Sequence, residues 1–181
     1  MIRIDKIRPL LLVLIALTMG SMSCSKNENK PEEQQSGQIS FDTSGDNTGS
    51  KTGKCVISTV EGSTNIYQFV AVDGSASTQQ TFSLIIHKSF SDNSLSNPSP
   101  GTYPIGTETS LAETDGFRIM YSDRTRGKVY GGDNVSGSLT VTKSMSTLVE
   151  GTFTFSAGMG LLGDGVITLS NGKFSAVLKN K

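Results

Sequence analysis

The chain has 181 residues, with 16 Lys and Arg against 16 Asp and Glu, one His, no Trp and two Cys. Balanced charge excludes the basic surface on which nucleic-acid binding depends, and two cysteines are too few for a disulfide framework. The length suits one domain with a real core.

Arg3, Lys6 and Arg8 precede an apolar run from Pro9 to Met19, and small residues then lead to Cys24. Charged region, short apolar region and small-residue break are the order of a secretory signal. A run of 11 residues falls short of the roughly 20 that span a membrane. The cysteine at the break predicts that residues 1–23 are a lipoprotein signal peptide. Acylated Cys24 would then be the new N-terminus, holding the protein to the outer membrane of a cell envelope. The resemblance to the lipoprotein motif departs at Ser21, where an aliphatic residue is usual, and fits at Ser23. A conventional secretory peptidase cutting the same bond would leave a soluble protein with a free Cys24.

Residues 25–37 read SKNENKPEEQQSG, without an aliphatic or aromatic side chain. Such a stretch cannot bury enough apolar area to offset its ordering entropy, so 24–37 is predicted to be a disordered polar tether. Its acids Glu28, Glu32 and Glu33 outnumber Lys26 and Lys30. A short acidic stretch after a lipidated cysteine resembles the surface-export signal of Bacteroidetes lipoproteins, though an ordinary hydrophilic linker reads the same way. Without residues 1–23 the 16 cations lose three and the 16 anions lose one, leaving a formal charge of −2.

Residues 38–181 are expected to form one all-β domain, an antiparallel β-sandwich or open barrel of about 8–10 short strands. Lys54 to Ser58 reads as strand and makes Cys55 a buried, inert thiol. Alternation with period two places Phe82, Leu84 and Ile86 on one face of a strand, and Ser83, Ile85 and His87 on the other. It likewise sets Phe117, Ile119 and Tyr121 opposite Arg118 and Met120, and Leu139 and Val141 opposite three hydroxyls. Val149, Phe153 and Phe155 oppose Glu150, Thr152, Thr154 and Ser156. Each describes a strand with one buried and one wet face. Ser89 to Pro100 reads as a loop, and Lys143 to Thr147 as a hairpin turn. Asn171-Gly172, between two apolar-rich runs, is the strongest hairpin signal.

The chemistry-bearing candidates are few. His87 is the only histidine, so a triad hydrolase lacks its parts. Asp92, Glu108, Glu113, Asp115 and Asp133 fall in predicted loops, where acids serve solubility. Asp42 to Asn47 loosely resembles a calcium loop without its twelfth-position Glu and is read as a flexible loop. Gly131 to Asn134 and Gly158 to Gly160 open no helix and read as turns. Arg124, Arg126 and Lys128 read as a solvated loop. Tyr103, Tyr121 and Tyr130 are the candidate ligand-binding residues, as rings that could stack on sugars at a loop rim. No metal, cofactor or catalytic constellation is predicted.

The segments Pro100-Gly101-Thr102-Tyr103-Pro104, Ser136-Gly137-Ser138-Leu139-Thr140-Val141, Gly151-Thr152-Phe153-Thr154-Phe155 and Asn171-Gly172-Lys173-Phe174 occur in that order. The order resembles an uncharacterised domain of Bacteroidetes lipoproteins over about residues 80–178. That family has no known function, so the resemblance implies compartment and fold only. The expected role is a lipid-anchored, non-catalytic module that binds an extracellular glycan or protein. A structural or assembly role in the envelope is the alternative, and a hydrolase is the least supported.

Overall fold

The computed structural model describes residues 37–74, 79–159 and 163–179. The signal, Cys24 and the tether, apart from Gly37, lie outside the described residues. Among the described residues there are nine strands and no helix: β1 (Gln38–Gly45), β2 (Gly49–Val60), β3 (Ile66–Val72), β4 (Phe82–Ser89), β5 (Gly101–Ile105), β6 (Gly116–Asp123), β7 (Lys128–Met145), β8 (Leu148–Met159) and β9 (Val166–Leu178). The ladder runs β1-β2-β3-β4-β6-β5-β7-β8-β9 and returns to β1, so one sheet closes as a ring. The all-β architecture expected from the sequence is the one observed.

Two short strands act as wedges. β1 inserts antiparallel between β2 and β9 and stops at Gly37, whose carbonyl accepts the Cys55 N–H at 3.1 Å. Beyond that fork β2 and β9 pair directly and in parallel, Val56 with Val177 and Ile57 with Leu178. β5 is the second wedge, antiparallel to β7 and touching β6 in parallel at Ile105 and Phe117. Past β5, β6 pairs with β7 directly. The sheet is therefore mixed rather than purely antiparallel. One rim lacks β5 and the other lacks β1, so eight of the nine strands cross at either rim.

A ring of about eight strands leaves an interior that side chains fill. Phe41 meets Phe82 edge-on at 5.2 Å between ring centroids, Phe69 meets Phe174 at 5.1 Å, and Phe153 stacks on Phe155 at 5.8 Å. These inner positions are the alternating apolar residues of the sequence. Cys55 sits among them, 1% exposed and unpaired, and burial pushes its thiol up to about 12.

Four local expectations are corrected, the first being the turn at Gly158 to Gly160, since β8 runs on through Gly158 to Met159. Asn171-Gly172 does not turn a hairpin; β9 runs through it from Val166 to Leu178. The register slips there against both neighbours, so the pair is a β-bulge, with Asn171 at φ +53°. The positive φ that suits a type I′ turn also suits the left-handed residue of a bulge. Gly172 is required because a Cβ there would lie 2.5 Å from the Phe153 ring. Gly131 to Asn134 is likewise not a turn. It is a kink inside β7, with Gly131 and Gly132 at positive φ, where the strand leaves β6 for β5 and β8. Asp42 to Gly45 belongs to β1, and only the three residues 46–48 connect it to β2. The turn between β7 and β8 falls where expected, with Met145 and Leu148 paired around Ser146-Thr147.

Candidate functional site

The three candidate tyrosines do not form an exposed platform. Tyr121 and Tyr130 face each other across β6 and β7 and are fully buried, with centroids 6.0 Å apart. Tyr103 is half-buried between Phe90 and Phe117, at 5.0 and 5.6 Å, and donates to the Ser99 carbonyl at 2.8 Å. Tyr121 and Tyr130 offer no ring face for sugar stacking, and Tyr103 is partly covered. The signal was present in the sequence, because alternation already put Tyr121 with Phe117 and Ile119.

The rim that holds the β1–β2 turn carries the densest charge. Lys128 and the Tyr130 hydroxyl donate to Asp46 at 3.0 and 3.1 Å. Lys128 first, and Tyr130 second, hold the Asp46 carboxyl below the usual carboxylate range. Burial and then Asp46 push the Tyr130 hydroxyl up to about 12. Buried Asp123 accepts from Asn47 at 2.7 Å and from the Arg126 backbone at 3.2 Å. These bonds tie the β1–β2 turn to the β6–β7 hairpin. Their satisfied partners mark them as a structural latch.

Three of the five acids expected in loops, Asp92, Glu108 and Asp115, have structural partners, and Asp133 lies in β7 instead. Asp115 accepts from the Ser91 N–H at 2.8 Å, Asp92 from the Ser94 N–H at 3.0 Å, and Glu108 pairs with Arg118 at 3.2 Å. Under the same loop lies Lys88, an inner-face cation whose side chain is 3% exposed. It donates to the Ser94 and Ser96 carbonyls at 2.9 and 3.0 Å and lies 4.8 Å from the Phe90 ring centroid. His87 is half-buried on the outer face opposite Arg118, and burial, then Arg118, lowers its basicity. Among the described residues no three His, Cys, Asp or Glu side chains gather to hold a metal.

What sequence reading missed is the outside of the ring. Cross-strand partners extend one outward row over six strands: Thr102, Thr140, Thr152, Lys173, Ser40 and Thr52. The next row is Lys143, Glu150, Ser175, Gln38 and Lys54. On the other side Ser136, Ser156, Thr168 and Ser44 align. Rows are about 7 Å apart along the strands and residues about 4.8 Å apart across them. Some hydroxyls bond each other, as Thr102 with Thr140 at 2.9 Å and Ser156 with Thr168 at 2.8 Å. Two shallow grooves lie on this wall. One of about 610 Å³ is lined by Ser40, Thr52, Lys54 and Lys173, and one of about 320 Å³ by Thr140, Thr152, Thr154 and Lys173. They meet at Lys173.

No protein-family model, curated protein or solved structure matches this chain.

Proposed function

We propose that this protein is a lipid-anchored module of the bacterial cell envelope that binds an extracellular glycan on its hydroxyl wall without transforming it. The single observation that carries the reading is the Thr102–Thr140–Thr152–Lys173–Ser40–Thr52 row, with grooves on either side of Lys173. Hydroxyls both donate and accept, which matches the mixed donor and acceptor surface of a sugar chain. Shallow grooves of this kind hold a ligand along its length, whereas small-molecule pockets enclose it. The interior is filled by aromatic side chains, so binding belongs outside the ring. Anchoring through Cys24 is supported by its place after the charged and apolar leader.

A glycan array probed with the purified mature protein tests the reading. Binding that is lost in Thr140→Val combined with Thr152→Val is the expected result. No glycan signal, or a signal indifferent to those changes, contradicts it. A Cys24→Ser variant should leave the membrane fraction; retention there contradicts the anchor.

An assembly role is the second reading. It is favoured by the rim opposite the latch, where Val60, Met145 and Leu178 are exposed beside a groove that also takes in Leu95.

A further inference from the structure

We infer that the ligand of the hydroxyl wall is an acidic polysaccharide, lying across β7, β8, β9, β1 and β2 with its acid groups on Lys173 and Lys54; this rests on the glycan reading above. Most cations near the ring's rims and loops are already neutralised. Lys88, Arg118, Arg126, Lys128 and Lys143 each have a carboxylate within 4 Å. Lys54 and Lys173 have none among the described residues, and both are exposed on the outer wall. The acids of that wall are engaged instead. Asp42 accepts from Ser50 at 2.6 Å and from Asn171 at 2.9 Å, and Glu150 pairs with Lys143 at 3.6 Å. Two ammonium groups with no carboxylate within 4 Å therefore stand beside hydroxyls, while Asp42, held by neutral donors, keeps its charge farther along β1.

Their placement adds geometry to the charge. Lys173 pairs with Ser40, and Lys54 with Gln38, on opposite sides of the wedge strand β1. Two strand spacings across and two residues along put their Cα atoms roughly 12 Å apart on a flat sheet, a separation of disaccharide scale. Lys173 lines both grooves and Lys54 lines the larger one. A chain passing from one groove to the other crosses Lys173 and runs on toward Lys54, with Thr140, Thr152, Ser40 and Thr52 beside it. An ammonium is a point charge on a flexible stem, suited to carboxylates that recur along a chain without fixed orientation.

The test is affinity electrophoresis of the mature protein through gels holding polygalacturonate or, in parallel, neutral dextran. Polygalacturonate should retard the protein and dextran should not. Lys54→Gln with Lys173→Gln should weaken the apparent affinity at least tenfold. Lys51→Gln with Arg124→Gln, two cations off this wall, should change it less than twofold. Equal loss in both pairs would show diffuse ion exchange and overturn the inference. Retardation by dextran that survives Lys54→Gln with Lys173→Gln would overturn the acidic ligand and leave the glycan reading standing. No retardation by either polysaccharide would overturn both.

Discussion

The two halves of the ring share one interior and differ in a central outward row, hydroxyl-bearing on one and aliphatic on the other. Across β5, β7, β8, β9, β1 and β2 one outward row reads Thr102, Thr140, Thr152, Lys173, Ser40 and Thr52. Across β9, β2, β3, β4 and β6 a second row reads Val177, Val56, Val70, Ile85 and Met120, with Met120 44% exposed. Thr, Val and Ile are all β-branched and all favour strands. Strand formation therefore accepts either wall and does not choose between them. The choice of hydroxyl or methyl is visible only to what lies outside, which is why the hydroxyl wall carries the functional reading.

The comparison is sharpest where the walls should behave alike. Phe153 lies beneath the hydroxyl wall and Phe69 beneath the aliphatic one, and both are buried. Phe153→Ala and Phe69→Ala should each cost about 3–5 kcal/mol, read as a fall in denaturant midpoint. A large loss at one and a negligible loss at the other would mean that the interior is not continuous.

Lys88 gives the next largest effect, and it belongs to the aliphatic half. Lys88→Met keeps the stem and removes the ammonium, leaving the Ser94 and Ser96 carbonyls without their donor. A loss of about 1–3 kcal/mol follows from removing charge-assisted bonds to these part-buried carbonyls, with increased proteolysis of the 90–100 loop. An unchanged midpoint would show that the loop is held by other contacts.

The latch joins the halves and is pH-sensitive. The Asp46 carboxyl is depressed by Lys128 and Tyr130, so it binds fewer protons folded than unfolded. Its contribution is complete above the ordinary Asp value of about 4 and is lost as pH falls through the lower folded value. Asp46→Asn should therefore destabilise the protein at pH 7 and make its melting temperature fall less between pH 5 and pH 2. An identical pH profile in the variant would remove Asp46 from the latch.

Much of this architecture was legible in the sequence. Period-two alternation identified the inner faces of β4, β6, β7 and β8, because burial on one side of a strand leaves that imprint. The closure of the ring was not, since Asp42 meets Asn171 across 129 positions and nothing local encodes such a pairing. Asn171-Gly172 misled because a bulge and a hairpin demand the same positive φ. The hydroxyl wall was visible only strand by strand, as Thr152 and Thr154 opposite Phe153; its continuity depends on the order in which strands pair. Tyr121 was assigned from ring chemistry against its own alternation with Phe117 and Ile119, and alternation prevailed.

The smallest effects on stability belong to the walls themselves. Thr152→Val, at an exposed position, should shift stability by no more than about 0.5 kcal/mol, and Ile85→Thr, at a half-buried one, should cost about 1 kcal/mol, while the two differ in ligand binding. The most direct measurement is therefore a titration of isotope-labelled mature protein with oligogalacturonate, following backbone amide NMR shifts. Shifts concentrated at Thr140, Thr152, Lys173, Ser40 and Thr52, with Val70, Ile85 and Met120 unmoved, are the predicted result. Shifts centred on Val70, Ile85 and Met120, or no shifts at all, would contradict the assignment of binding to the hydroxyl wall.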